Sequence, residues 1–409
     1  MLILNRHPDR GQPLDPAAAA ALGEAAAHEI QHFLSHRAHH AATPLHHLPA
    51  LAAELGLGAL YIKDEGHRLG LGSFKALGGA YAVIRLVLEE ASRKLGRPVD
   101  VAHLHTPEVA AVAAGMTFAC ATDGNHGRSV AQGAQLVGAR AVIFVHGGVS
   151  AGRIEAIARF GAEIVQVAGT YDDSVAEAAR VAEAQGGTGK GWTVVSDTSW
   201  PGYERIPLLV MQGYTAIVHE ALQQLSQPPT AEPLTHVFVQ AGVGGIAAAI
   251  AAHLSLKFGD RRPRFVVVEP ARAACLYETA KAGQPVKVAH GAPTVMAMLE
   301  CYEPSEVAWR VLARTADAFM TVEDEEAVAV MNRLARPLAQ DPVVVGGESG
   351  VAGLAGLVRA ATTPEIGAKL ALDSASRVLV VNTEGATDPA RYIELVGLDP
   401  ATLQRSASL

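Results

Sequence analysis

The chain has 409 residues, with 33 Lys and Arg against 41 Asp and Glu, a formal net charge of −8 and three cysteines. This length predicts two or three domains and a core that needs neither disulfides nor a structural metal. The acidic balance, without a cluster of Lys and Arg, argues against nucleic acid and anionic membranes as partners, because both require a basic footprint. The longest uncharged apolar run, Val109 to Thr122, is too short to cross a membrane, and the amino terminus is charged too early for a signal peptide, so we expect a cytoplasmic protein.

The first predicted element is an amphipathic helix from Pro16 to about Arg37, rich in alanine. His28, His32 and His36 recur every four residues along one face of it, a spacing that metal ligands also use. Because no nearby residues complete a set of four ligands, we expect a solvated histidine face and no metal site.

Short β-branched strands then alternate with helical segments through the rest of the chain, which predicts an α/β fold. We expect two domains with twisted, mostly parallel sheets flanked by helices, and a cofactor in the cleft between them. The large domain would combine residues 1–82 with 210–409, and the small domain would span 83–209. The strands are predicted at Leu60–Ile62, Ala141–Val145, Ile164–Val167, Val237–Val239, Phe265–Val268 and Val378–Val381.

Lys75 ends a glycine-broken loop after the first of these strands and begins an apolar helix. A lysine at this position lies at the positive end of the helix dipole, which should lower its pKa and favour the free amine that a Schiff base needs. Taken by itself, a solvated surface lysine is the commoner interpretation.

The segment Ala119–Gly127 forms a tight turn between a strand and a helix and carries Asp123 and Asn125. Ligands bind at such turns in open α/β sheets, at the carboxyl ends of the strands. Asp, Asn and Gly are equally suited to an ordinary turn or helix cap.

The glycine loop, Gly242–Gly245, follows a strand and precedes a helix, an arrangement that exposes backbone N–H groups to a phosphate. Gly242, Gly244 and Ala247 also satisfy a dinucleotide-binding pattern, and Glu269 lies about where a ribose-binding acid would. A nicotinamide oxidoreductase is therefore an alternative.

Two further strand ends, Val343–Val345 before a glycine-rich helix start and Val378–Asn382 before Thr383, are compatible with ordinary loops. Hydride transfer explains the glycine loop but none of the other segments. A cofactor with an aldehyde, a phosphate and a pyridine ring explains them all: Lys75 would bind the aldehyde, the glycine loop the phosphate, and Thr383 would face the ring nitrogen. That cofactor is pyridoxal phosphate (PLP).

The sequence resembles the fold type II PLP enzymes, the tryptophan synthase β family that includes threonine and serine dehydratases. Five ordered motifs carry the resemblance: Thr43-Pro-Leu, Ser73-Phe-Lys75, Asp123-Gly-Asn-His-Gly127, the glycine loop and Glu348-Ser-Gly-Val-Ala-Gly. Within that family the sequence is similar to the diaminopropionate ammonia-lyases, through Asp123, the segment Asp197–Tyr203 and Thr383-Glu-Gly385.

The resemblance implies a carbon–nitrogen lyase, a cytoplasmic homodimer that converts 2,3-diaminopropionate, the L isomer and also the D isomer, to pyruvate and two molecules of ammonia. Lys75 or Asp123 would remove the α-proton, and Asp123 and Asp197 would attract the second ammonium group. The implied catalytic residues are Lys75 and Asp123; the cofactor contacts are Lys75, Phe74, Asn125, Gly242, Val243, Gly244, Gly245, Glu348 and Thr383; the substrate contacts are Asp123, Asp197 and Ser73.

Three alternatives remain open on the sequence: a serine or threonine dehydratase, the oxidoreductase, and a catalytically inactive amino-acid-binding module. Cys120, Cys275 and Cys301 are expected to be buried thiols, although Cys275 and Cys301 lie in one segment and can pair.

Overall fold

A computed structural model describes residues 1–38, 40–122, 124–169, 171–186, 192–227 and 232–407. These residues form two β-sheets flanked by helices, so the predicted α/β class is confirmed. The strands are β1 Leu2–Leu4, β2 Leu45–His47, β3 Ala59–Asp64, β4 Thr117–Ala121, β5 Arg140–His146, β6 Glu163–Val167, β7 Trp192–Val194, β8 His236–Gln240, β9 Arg264–Pro270, β10 Ala318–Val322 and β11 Arg377–Asn382.

The larger sheet, within the described residues, has seven strands in the order β1-β10-β9-β8-β11-β3-β2. Its five central strands are parallel, and β1 and β2 add antiparallel edges. Strands β3 and β8 are buried along their whole length, which is why they appear in the sequence as continuous apolar runs.

The smaller sheet has four parallel strands in the described part of the chain, in the order β6-β5-β4-β7. All of its strands come from residues 117–194, between two strands of the larger sheet. The domain boundaries at residues 82/83 and 209/210 stay a prediction.

Helices cover the faces of both sheets. They are α1 Pro16–Leu22, α2 Glu24–Ser35, α3 Pro49–Glu54, α4 Lys75–Leu95, α5 Pro107–Ala113, α6 Asn125–Val137, α7 Ala151–Ala158, α8 Tyr171–Gly186, α9 Arg205–Leu225, α10 Gly245–Phe258, α11 Cys275–Ala282, α12 Glu306–Thr315, α13 Asp324–Ala335, α14 Ala352–Thr362, α15 Pro364–Leu370, α16 Pro389–Val396 and α17 Pro400–Ala407.

Helix α4 packs closely against both α6 and α9, and glycines allow the approach. A Cβ on Gly133 of α6 would lie 2.7 Å from Cα of Ala80, and a Cβ on Gly213 of α9 would lie 2.5 Å from the carbonyl oxygen of Leu77. Because α4 begins at Lys75 and α6 begins at Asn125, this packing brings two predicted site residues to one region.

The six predicted strands are all confirmed, with three differences elsewhere. The predicted helix from Pro16 to Arg37 is two helices, because Gly23 has extended backbone and serves as the N-cap of α2. Residues 343–345 form no strand. The strands β1, β2, β7 and β10, which are short or lack a clear β-branched run, were not predicted.

The described residues contain neither a membrane-spanning helix nor a cluster of metal ligands. No described helix combines the length and the apolar character that crossing a membrane requires. No group of three or more His, Cys, Asp or Glu among the described residues is arranged to hold a metal ion, and His28, His32 and His36 are exposed. The linker-like residues 228–231 lie outside the described residues.

Candidate active site

Lys75 is the first residue of α4 and extends toward the carboxyl end of the smaller sheet, where its Nζ forms an ion pair with Oδ2 of Asp197. Burial lowers the pKa of Lys75, but the charge of Asp197, its hydrogen bond to Nζ and the neighbouring Tyr214 and Cys301 together raise the pKa above its usual value. The expectation of a lowered pKa was therefore wrong for the protein without a cofactor, because a carboxylate in direct contact acts more strongly than a helix dipole.

Asp197 follows β7 in a turn that Tyr203 fixes. The hydroxyl of Tyr203 donates to the carbonyl of Val194 at 2.8 Å and accepts from the backbone N–H of Ser196 at 3.0 Å. The ring of Trp200 stacks on Tyr203 with centroids 4.2 Å apart. These contacts explain the motif Asp197–Tyr203: its aromatic residues hold the turn that presents the carboxylate to Lys75.

His126, in the first turn of α6, is a site residue that the sequence analysis did not select. Its Nε2 lies 3.0 Å from the carbonyl oxygen of Val195, so Nε2 carries the proton. Burial lowers the pKa of His126, which keeps the ring neutral. The unprotonated Nδ1 has no hydrogen-bond partner among the described residues and lies 4.0 Å from Oδ2 of Asp197.

Asn125 contacts Glu384, a second residue that was not selected. The Nδ2 of Asn125 donates to Oε2 of Glu384 at 2.6 Å, and both side chains are buried. Burial and the neighbouring carboxyl of Glu348 raise the pKa of Glu384 to about 8. Burial also raises the pKa of Glu348 above its usual value, so both neighbouring acids resist ionisation.

Thr383 lies directly after β11, and its backbone carbonyl accepts from the N–H of Phe74 at 2.9 Å. The same loop pairs Ser73 with Glu384 in an isolated β-bridge. Ser73 is buried, and the ring of Phe74 packs against Tyr214 with centroids 4.8 Å apart. The predicted residues Ser73, Phe74 and Thr383 therefore lie together beside Lys75.

The glycine loop connects β8 to the first residue of α10, as predicted. Within the described part of the chain, the backbone N–H groups of Val243, Gly244 and Gly245 donate to no backbone acceptor outside the helix. Gly244 has a φ of +104°, which a residue with a side chain rarely adopts. The loop thus offers unpaired N–H groups at a helix N-terminus, a suitable site for a phosphate.

Glu269 does not reach this loop as a ribose-binding acid would. It is fully buried at the end of β9 and accepts from the backbone N–H groups of Leu276 and Tyr277 at 2.7 and 2.6 Å. Glu269 therefore stabilises the N-terminus of α11, which removes the residue on which the oxidoreductase alternative relied.

Lys63 is the lysine nearest to Lys75 in the sequence. It is fully buried in β3, where its Nζ donates to Oε2 of Glu220 at 2.9 Å and to the carbonyl of Thr43 at 2.8 Å. Arg68 also binds Glu220, at 2.7 Å. These charges hold the segment at Thr43 in place, so Lys63 has a structural role and Lys75 keeps the catalytic assignment.

Two further predictions concern Asp123 and the three cysteines. Asp123 lies outside the described residues, so its position stays a prediction. Cys120, Cys275 and Cys301 form no disulfide in the structure; Cys120 and Cys275 are buried, and Cys301 is half-buried.

Comparisons with known proteins agree with this geometry. A family profile described as "Pyridoxal-phosphate dependent enzyme" matches residues 37–384. The chain belongs to this family.

The relatives of this PLP enzyme include the diaminopropionate ammonia-lyase of Salmonella typhimurium, which is 37% identical over 386 residues covering 93% of this chain and 94% of the relative. The diaminopropionate ammonia-lyase of Escherichia coli K12 is 38% identical over 357 residues, 87% of each chain. The crystal structure of the Escherichia coli enzyme in complex with an aminoacrylate-PLP azomethine reaction intermediate superposes with a TM-score of 0.85, at 34% identity, over 97% of this chain and 96% of that one. A further crystal structure of that enzyme, in complex with D-serine, gives the same values.

The residues of this PLP enzyme fit its cofactor. The half-buried amine of Lys75 would match the aldehyde, and the unpaired N–H groups of Gly242–Gly245 would match the phosphate. The hydroxyl of Thr383 after β11 would match the ring nitrogen, and the amide of Asn125 would match the ring hydroxyl.

Proposed function

We propose that this PLP enzyme is a diaminopropionate ammonia-lyase, which converts 2,3-diaminopropionate and one water to pyruvate and two molecules of ammonia. The pair of acceptors around the Lys75 amine supports the substrate assignment most directly. Oδ2 of Asp197 and the unpartnered Nδ1 of His126 lie 4.0 Å apart, and Asp197 already holds an ammonium group, that of Lys75.

A second ammonium group on the substrate matches these acceptors better than a hydroxyl does. The β-ammonium of diaminopropionate has three N–H donors and a positive charge, whereas the hydroxyl of serine has one donor and no charge. If Lys75 held the cofactor through its amine, that amine would no longer pair with Asp197 as an ammonium, and the carboxylate would be available to another cation. A serine or threonine dehydratase would gain little from a half-buried carboxylate at this point.

PLP, when bound, supplies an aldehyde for the covalent link and an electron sink for the carbanion that follows loss of the α-proton. Lys75 Nζ, released from that link by the substrate amine, is the base that we assign to the α-proton of one isomer. Asp123, between Thr122 and Gly124 in the sequence, is proposed as the base for the other isomer, because a single lysine can reach one face of the substrate.

Three further proposals go beyond the comparisons. The enzyme is a homodimer, which the family resemblance supports. It acts in the cytoplasm, and its domains divide at residues 82/83 and 209/210, as expected from the sequence pattern. Light scattering of the purified protein, with a mass of two chains expected, tests the first of them.

A substrate panel tests the proposed function. The protein is purified with PLP, and pyruvate formation is measured with L- and D-diaminopropionate, L- and D-serine and L-threonine, the last scored for its own oxo acid. We expect kcat/KM for diaminopropionate to exceed that for serine by at least ~100-fold, the discrimination that a buried charge pair commonly gives. Faster turnover of serine or threonine would assign the chain to the dehydratases.

A further inference from the structure

The buried amide of Gln240, the last residue of β8, lies between the glycine loop and Thr383 and has no role in the proposed function. Its Nε2 donates to the hydroxyl oxygen of Thr383 at 2.8 Å and to the carbonyl oxygen of Val381 at 3.0 Å. The carbonyl oxygen of Gly350 is a third acceptor beside the same nitrogen, so three acceptors share the two protons of Nε2. Gln240 itself is fully buried.

The two backbone carbonyls determine which end of the Gln240 amide faces Thr383. A carbonyl oxygen accepts hydrogen bonds and cannot donate them, so the oxygens of Val381 and Gly350 require the NH₂ end of the amide. The reversed orientation would set Oε1 directly against both carbonyl oxygens with no proton between them, a repulsive buried contact, whereas the present orientation only leaves Oε1 without a partner among the described residues. The Gln240 amide is therefore fixed.

The fixed amide in turn determines the orientation of the Thr383 hydroxyl. An amide nitrogen cannot accept a hydrogen bond, so the oxygen of Thr383 must be the acceptor in its contact with Gln240. Within the described ranges, the proton of this hydroxyl meets no acceptor of the protein, although Thr383 is buried. A buried hydroxyl with an unused proton is a donor held ready for a ligand.

We propose that Gln240 is a positioning residue, which forces the Thr383 hydroxyl to donate its proton to the ring nitrogen of PLP. The inference rests on the proposed function, in which Thr383 faces that nitrogen. A nitrogen that accepts a hydrogen bond must keep its lone pair, so Gln240 keeps the ring nitrogen unprotonated. Without Gln240, no described side chain holds the hydroxyl oxygen as an acceptor, so its proton is no longer directed at the ring nitrogen.

The test uses the holoenzyme with PLP labelled with ¹⁵N in the ring, and it measures the ¹⁵N chemical shift of that nitrogen. In the wild type, we expect the shift of an unprotonated, hydrogen-bonded pyridine. Gln240→Leu should move it toward that of a pyridine without a donor, by the same amount as Thr383→Val, and the double variant should show no further change. In parallel, kcat should fall by ~10-fold with little change in KM, since one hydrogen bond made at the reacting cofactor is lost.

Two additional variants keep the test decisive. Gln240→Glu is nearly isosteric. Its carboxyl group must be protonated to donate to the carbonyl oxygens, and its second oxygen can then accept the proton of the Thr383 hydroxyl. This variant should therefore give the ¹⁵N shift of Thr383→Val even if Gln240→Leu does not fold. Gln224→Leu removes another amide that donates to a backbone carbonyl, that of Thr43 at 3.0 Å, away from the site, and should leave the shift unchanged.

The outcomes are distinct. An unchanged shift in Gln240→Leu and Gln240→Glu, or a protonated nitrogen in the wild type, would overturn the role of Gln240. A wild-type protein that binds PLP but does not cleave diaminopropionate would overturn the proposed function. The ¹⁵N shift of the ring nitrogen would still show whether Gln240 orients the Thr383 hydroxyl.

Discussion

The side chains of Asn125 and Glu384 meet at 2.6 Å although they follow strands of different sheets. Asn125 begins the helix after β4 in the smaller sheet, and Glu384 lies two residues after β11 in the larger sheet. This buried hydrogen bond therefore joins the two sheets at the cofactor site. Ionisation of Glu384 would therefore alter a contact that both sheets share.

The pH dependence of stability is the first prediction. The pKa of Glu384 is about 8 in the folded protein, above the 4.5 of an exposed glutamate. The folded state therefore binds this proton more tightly, so its stabilising contribution is complete below pH 4.5 and is lost as the pH rises through about 8. Glu384→Gln cannot ionise, and the free energy of unfolding of this variant should fall less between about pH 5 and pH 8.5.

Neighbouring charged groups also shift the pKa of Glu384. Glu348 and burial oppose ionisation, while Arg153, Lys75 and Arg128 favour it. Glu269→Gln is the matched control, because burial also raises the pKa of Glu269 to about 8. Both variants should reduce the pH dependence of unfolding, but the pH profile of cofactor absorbance should change in Glu384→Gln and stay as in the wild type in Glu269→Gln.

Asp197→Asn is the second prediction. The variant removes the charge that raises the pKa of Lys75, so burial then lowers this pKa and the amine loses its proton more readily. The variant also removes the proposed partner of the β-ammonium group. Because a charged contact with the substrate is lost, kcat/KM for diaminopropionate should fall by ~10²-fold or more. Activity on serine should fall less. Equal losses on both substrates would show that Asp197 orients Lys75 and does not select the substrate.

Asp123→Asn is the third prediction and concerns the two isomers. Asparagine is nearly isosteric with aspartate but accepts no proton at this pH. Activity on the D isomer should fall by the ~10²- to 10⁴-fold that loss of a general base causes, and activity on the L isomer should fall less. Steady-state rates of pyruvate formation from each isomer measure both effects. Equal losses would limit Asp123 to binding or to shaping the turn, and a wild type without D activity would contradict the assignment of a second base.

Gly244→Val is the fourth prediction. The backbone of Gly244 has a positive φ, and a Cβ there would lie 3.1 Å from side-chain atoms of Leu276 and Ala308. Valine should therefore distort the loop that presents N–H groups to the phosphate and weaken PLP binding by ~10-fold or more. Gly283→Val is the control, since Gly283 also has a positive φ (+73°) but has open space around it. Equilibrium titration of the apo-protein with PLP compares them; equal weakening would indicate general instability.

The sequence predicted the elements whose signal is local. Continuous apolar strands, the glycine loop and the helix start at Lys75 are all set by neighbouring residues, and the structure confirms them. The short strand β7 depends on pairing with the distant strand β4, which a periodic pattern does not contain, whereas the break at Gly23 has a local cause in the extended backbone of that residue.

The site residues that were missed act through contacts between distant parts of the chain. His126 and Glu384 both stand inside motifs that the sequence analysis quoted, but their roles depend on Val195, Asp197 and Asn125, at separations of up to 259 residues. Lys75 shows the same limit: its position was predicted, and the direction of its pKa shift was not, because the partner Asp197 lies 122 residues away.

The attachment of PLP to Lys75 is the central claim, and one measurement tests it most directly. The yellow holoenzyme is reduced with borohydride and digested, and the peptides are analysed by mass spectrometry. The account predicts the added mass of the reduced cofactor on the peptide that contains Lys75, and its loss in Lys75→Arg, which keeps the charge beside Asp197 but cannot form the link. Attachment at Lys63 or another lysine, or no covalent attachment in a protein that still cleaves diaminopropionate, would contradict it.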